Sequence, residues 1–438
     1  MVNAGARTVI EIQDSVDVLV VGGGTAGTVA AIQAARAGAT TAVIEMRGLL
    51  GGTMTWGGVK QPGYFHAWGR QVIAGIGWEL VAATLELDGR AMPDFAHPPA
   101  GRPGQYVQIN VALYPVVAEE AASLAGVRLH YHETVVDAQA RDDGWAVISI
   151  GKGIRRTTTC RELIDCSADA DVVGMLGFER EKGEVRQPGT LEFMLSGYDA
   201  KALDQAGVQR CYEAACVDGR LRPGDFAGMN SRSFMSFLQA RGWNQQHILG
   251  ADSTTSDSQT VANMAGRQSL LRLLRFVRTL PGCKGARVEW VRHDTAIRET
   301  YRIVGGTRVT REDYLSGRFF PDAIGYTIFF VDLHTEAGGE TEFLAEGIVP
   351  TIPFGALVPR GSQRLLVAGR CIASDRLANS ALRVQPSCMV MGQAAGAAAA
   401  LAVQLGCPSR DVPLGQLRQL LREHGAVAPA PCIDDCQG

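Results

Sequence analysis

"VVGGGTAGTVAAIQAARAGATTAVIE", residues 20–45, is the stretch on which the fold turns. It continues an apolar run, "VDVLVV" (16–21), into Gly22, Gly23 and Gly24, with Gly27 close behind. A short, unbroken apolar run predicts a buried parallel strand. The Ala-rich stretch that follows, stopped by Gly38, predicts a helix, and "TTAVIE" (40–45) a second strand. Strand, glycine turn, helix and strand make a βαβ unit with a right-handed crossover. The glycines of Gly22-x-Gly24-x-x-Gly27 then play distinct parts. The first allows the tight turn, the second brings backbone close to a pyrophosphate, and the third lets helix pack against strand. Thr25 and Ala26 open the helix, where free N–H groups and the positive dipole end attract phosphate. Glu45 closes the second strand about 20 residues on, where an acid bonds ribose hydroxyls and disfavours a 2′-phosphate. A dinucleotide is expected at this turn.

The rest of the composition narrows the class. A chain of 438 residues has room for two domains. Its net charge of −3 offers no electrostatic footprint for nucleic acid. The longest apolar run, 391–403, carries Gly and Gln and reads as a buried helix, so no membrane partner is expected. The opening residues lack a signal-peptide core, which points to a cytoplasmic protein. Ten cysteines without a C-x-x-C pair or a His/Cys cluster predict reduced thiols and no metal site. The nearest pairs are Cys211 with Cys216 and the terminal Cys432 with Cys436, the latter a candidate redox or metal handle.

Along the chain, "VRLHYHETVVDAQ" (127–139) reads as a third strand, and "RELIDCSADAD" (161–171) returns a strand to an acidic turn. From Met175 to about Tyr326 helical patterns such as "SQTVANMAGRQSLLRLLRFVRTL" take over. The buried-strand signature comes back at "SQRLLVAGRCIAS" (362–374), followed by the small-residue helix "QPSCMVMGQAAGAAAALAVQLG" (385–406). The expected architecture is α/β: a discontinuous Rossmann-like dinucleotide-binding domain, 1–174 and 355–438, with an α+β substrate or cap domain, 175–354, inserted in it.

The loop after Glu45 separates FAD from NAD. "GGTMTWGGVKQPGYFHAWG", starting at Gly51 and Gly52, suits a segment passing beneath a pyrophosphate and flavin, whereas an NAD domain would continue into further βαβ units. No second strand–GxGxxG–helix unit is present to hold NAD(P)H. With "LLGGTMTWGG", "LIDCSADADVVGMLG", "RETYRIVGGTRVTREDYLSGRFFPDAI", "VDLH" and "LLVAGRCIASDRLANSALRVQPSCMVMGQAAGAAAALA", the chain resembles the FAD-dependent oxidoreductases of the glutathione-reductase-like superfamily. More narrowly, it is similar to a bacterial family related to the fumarate-reductase and aspartate-oxidase flavoproteins. That resemblance implies FAD as cofactor and adds Met46, Thr53, Ala168, Asp169, Arg370 and Gly392 to its expected contacts, with backbone at Val135 facing adenine. The family's acidic loop reads Asp-Cys-Thr-Gly-Asp-Gly-Asp, so Ala168 and Ala170 stand where glycines are usual.

For chemistry, the helix that starts near Cys388 would aim its positive end at the flavin's pyrimidine edge and stabilise charge on the reduced ring. Arg383 would orient a carboxylate or carbonyl, the plain alternative being a structural ion pair. His334, two residues after Asp332 and on the same strand face, is the expected acid/base, although a lone His is more often structural. Tyr301 and Arg302 are further polar candidates, Arg298 and Glu299 read as a pair, and His66 as a flavin-facing or covalently attached residue. The expected activity is hydride transfer between a small-molecule substrate and flavin N5 at the domain junction, with an unidentified electron acceptor. The rivals are a reductase of activated C=C bonds and a non-catalytic flavin-fold binding protein. Homo-oligomerisation is left open.

Overall fold

The apolar residues Val18–Val21 form the buried inner end of β1 (Ile10–Val21), whose outer half is largely exposed. The computed structural model describes residues 9–97, 104–227, 233–336 and 338–429, so the Cys432/Cys436 pair lies outside the described residues. After the glycine turn come α1 (Thr25–Arg36) and β2 (Thr41–Glu45), the latter parallel to β1 with Val18 opposite Thr41 and Val21 opposite Ile44. β3 (Arg128–Tyr131) extends the parallel sheet beyond β2. β4 (Thr134–Arg141), β5 (Gly144–Gly151) and β6 (Ile154–Asp165) form an antiparallel meander, and β6 returns parallel to β1 along its whole length. Twelve residues let β6 serve two partners on one edge: its first half pairs with β5, its end with β7 (Leu365–Val367). The chain is therefore α/β, with a parallel-rich Rossmann-type sheet.

The stretch read as one third strand is two. His132, with φ +59°, breaks it between β3 and β4. Its amide donates to Arg47 O and that of Glu133 to Glu45 O, both at 3.3 Å. The chain leaves the parallel sheet here, which places Val135 in β4 beside the end of β2.

The small-residue helix α2 (Gln385–Leu405) lies against α1 backbone to backbone. A Cβ at Gly392 would stand 2.1 Å from Ala26 O, and one at Gly396 2.2 Å from Ala30 O. Only hydrogen fits at either place. Although α2 is long and apolar enough to cross a membrane, 78% of its apolar window is buried inside the protein.

A second hydrophobic core gathers Phe193, Phe234, Phe237, Leu273 and Phe276 from residues 193–288. Its longest helix, Ser256–Val277, begins at a capping box between Thr255 and Ser258. Downstream of it, Ile303, Tyr314, Ile324 and Val331 pack into the first core. Segments belonging to both cores line one cleft.

Candidate functional site

The cleft has a volume of about 950 Å3 and begins at the glycine turn. Gly22 sits at φ +95°, and a Cβ there would stand 2.5 Å from Cys166 O. At Gly27 a Cβ would come 1.8 Å from Gly22 O, so this glycine serves helix–strand packing and does not line the cleft. Gly24, which does, has nothing within 4 Å of its Cβ position; the emptiness is on the cleft side, where a diphosphate can approach bare amides. Glu45 is buried, with Oε2 accepting from the Gly23 amide and Oε1 from the Arg47 amide, each at 2.7 Å. Burial pushes its carboxyl up, while the two amides pull it back down.

Thr25, Ala26, Met46, Gly52, Thr53, Val135, Ala168, Asp169, Arg370 and Cys388 all line the same cleft. Gly51 does not: at φ +98° it turns the loop back, its amide donating to Gly23 O at 2.9 Å. Gly392 is also outside the lining, being taken up by the contact with α1. The acidic loop is pinned by Asp165, a fully buried carboxylate that accepts from the amides of Ser167 (2.9 Å) and Val173 (3.0 Å). Ala168 and Ala170, the residues standing where glycine is usual, are held at φ +74° and +54°, left-handed conformations that strain an L-residue. Arg370 reaches from the first core to the Ile297 segment: it donates to Ala168 O, to Ile297 O and to Asp169, whose other oxygen accepts from Ser253 at 2.8 Å.

At the far end stands a cluster of ionisable groups. His334 Nε2 lies 3.1 Å from Asp332 Oδ2, and its Nδ1 lies 2.8 Å from Nε2 of His247. Burial opposes the Asp332 charge, but the His334 hydrogen bond and the nearby Arg383 and Arg298 hold its carboxyl at about 2. Burial and the charge of Arg298 push His334 down to about 4 and His247 to about 3. Above pH 5 both imidazoles are neutral and Asp332 is ionised. His334 therefore donates from Nε2 to Asp332 and accepts at Nδ1 from His247. Arg383 Nη2 donates to Asp332 O (3.1 Å) and Gln187 Oε1 (3.3 Å), and its Nε has no partner.

Asp332, His334 and Arg383 line the cleft, together with Arg298. The Arg298–Glu299 pair does not form: Glu299 bonds Arg376 at 2.9 Å, and Arg298 lines the cleft with bonds to Pro188 O at 2.6 Å and Asn244 Oδ1 at 3.5 Å. Tyr301 and Arg302 lie outside the lining; Tyr301 sits beneath Arg180 and Lys182, and Arg302 donates to Ser374 O. His66 is fully buried, its Nε2 accepting from the Gln105 amide at 2.8 Å and its ring stacked on Phe95, away from the cleft. Cys388 donates its thiol to Arg383 O, and burial pushes the thiol up to about 12, so it is no nucleophile. His247 carries no signal in the sequence: it sits 87 residues from its partner His334, in a stretch with no motif.

The model of the family described as FAD dependent oxidoreductase matches residues 17–421. No curated protein matches the sequence. Similar solved structures include a geranylgeranyl bacteriochlorophyll reductase-like protein from Thermoplasma acidophilum, at 14% identity over 94% of this chain and 84% of that one, TM-score 0.45. Others are p-nitrophenol 4-monooxygenase from Pseudomonas putida (12%, 94% and 84%, 0.44) and a myxobacterial chondrochloren halogenase (12%, 94% and 79%, 0.42). The chain belongs to the FAD-dependent oxidoreductases, and its cofactor is FAD. The residues present fit that group: an open cradle at Gly24, an acid at the end of β2 and a cleft of sufficient volume.

Proposed function

On the premise that the chain is an FAD-dependent oxidoreductase, we propose that it moves a hydride between a small organic substrate and its flavin, in the direction of substrate oxidation. One observation carries this reading: a single cleft is lined by both the glycine cradle with Glu45 and the Asp332, His334, Arg298 and Arg383 cluster. When bound, FAD supplies the two-electron acceptor at its N5.

The chain's own residues would do the rest. Arg383 is held by Asp332 O and Gln187 Oε1, so its guanidinium is fixed in place on the wall of the cleft, where its charge can orient the substrate. The Asp332–His334 pair is the acid/base unit. A hydroxyl or amine proton leaving the substrate is taken up by Asp332 at the carboxylate oxygen that His334 does not engage, while His247, donating to His334 Nδ1, holds the imidazole that positions that carboxylate. Phe329 and Phe330, stacked with ring centroids 4.3 Å apart, line the same cleft and give it apolar surface.

Anaerobic bleaching of the bound flavin across a metabolite library tests substrate and direction together. His334→Asn and Arg383→Met are each expected to slow bleaching by about 10²–10⁴-fold. A loss of only a few-fold would make both residues structural. A flavin that no reduced metabolite bleaches, yet that once reduced passes its electrons to an activated C=C bond, would reverse the proposed direction.

A further inference from the structure

The cluster at the end of the cleft is short of negative charge. Arg298 and Arg383 both face the cavity. Asp332 is the one carboxylate shared with Arg383, at 3.5 Å, and among the described residues none lies within 4.0 Å of Arg298. The other groups around them do not fill the deficit. Glu299 is committed to Arg376, His334 and His247 are neutral, and Glu192, its carboxyl pushed up by burial, accepts from the Asn244 amide at 3.1 Å and pairs with neither arginine within 4.0 Å. Two guanidiniums against one carboxylate among largely buried side chains leave one positive charge unmatched, an arrangement that is costly without an anion.

The walls beside these cations are aromatic. The Phe329 ring meets that of Tyr106 edge-on, with centroids 6.4 Å apart, and stacks on Phe330. Trp243 precedes Asn244, whose Oδ1 lies 3.5 Å from Arg298 Nη2. Such rings on the cleft wall offer a surface against which a flat apolar body can lie, with an anionic end toward the arginines.

We propose that the substrate is a monocarboxylate with a flat, apolar body, of the aromatic-acid type, its carboxylate gripped by Arg298 and Arg383 and its ring lying against Phe329, Tyr106 and Trp243. The inference rests on the proposed flavin-dependent reading and assigns a substrate class to that same cleft.

The FAD-loaded protein is titrated with three probes, benzoate, benzamide and acetate, following the flavin absorbance difference spectrum and the thermal midpoint. Benzoate is expected to bind, and to raise the midpoint, with at least roughly tenfold higher affinity than either benzamide or acetate, and Arg298→Met to weaken benzoate roughly ten- to a hundredfold while leaving benzamide unchanged. Benzamide binding as tightly as benzoate would overturn the anion site, and acetate binding as tightly would overturn the aromatic wall. Unaltered benzoate affinity in Arg298→Met would overturn the role of that arginine. Because Arg298 is buried and its replacement can disturb folding, the three-probe comparison on the unaltered protein stands alone as a test. A preparation that holds no FAD fails the underlying reading, whereas a yellow preparation indifferent to benzoate fails this inference alone.

Discussion

Asp332, His334 and His247 form a buried line of hydrogen bonds whose protonation is set by what surrounds it. Burial and Arg298 disfavour both imidazolium forms, so the folded histidines titrate at about 4 and about 3, below the usual 6.5. Between pH 6.5 and about 4 these two sites bind more protons in the unfolded chain than in the folded one, so their contribution to stability falls as pH is lowered through that window. Asp332, held at about 2, continues the same trend below pH 4. Relative to His247→Asn, the thermal midpoint of the parent should therefore fall as pH is lowered from 7 to 4.5; a difference between the two that does not change with pH would contradict the assignment. The pair Asp332 and His334 was legible in the sequence because period two puts both on one strand face. His247 and Arg298 were not, because loops far apart in the chain deliver them to the site and no spacing announces it.

The helix pair α1 and α2 depends on two missing side chains. Gly392→Ala would drive a Cβ to 2.1 Å from Ala26 O, a backbone atom that cannot move without shifting the cradle. A loss of about 1–3 kcal/mol is expected, read as a lowered denaturation midpoint. Gly415, exposed in the helix Leu414–Glu423 with nothing within 4 Å of its Cβ position, is the control: Gly415→Ala should gain up to about 1 kcal/mol. Equal effects at the two sites would refute the close-packing account. The composition of α2 made a buried helix legible, but its glycines carry two explanations, cofactor approach and helix contact, and only the neighbour's position decides between them. The break at His132 was hidden for a similar reason. Its flanks are β-like on both sides, and the carbonyls of Glu45 and Arg47 that hold the bend belong to another strand end.

Across the whole molecule, the two cores are joined over the cleft by carboxylates. Asp294 accepts from Trp56 Nε1 at 2.7 Å and Asn263 Nδ2 at 2.8 Å, and pairs with Arg47 beside the end of β2. Asp169 and Arg370 make the corresponding join at the acidic loop. Such latches close the dinucleotide end of the cleft, so Asp294→Ala is expected to weaken FAD binding roughly tenfold through faster release, checked by following flavin fluorescence on dilution. Equal release rates would remove Asp294 from that role. The most direct measurement is a calorimetric titration of the apoprotein with FAD, beside the variant Gly24→Val. The valine side chain would meet no protein atom at its Cβ and would project into the cradle, so the variant should fold with an unaltered midpoint. One equivalent of FAD bound by the parent and none by Gly24→Val is the predicted result; a parent that takes up no FAD, or a variant that binds it as tightly, would contradict the account.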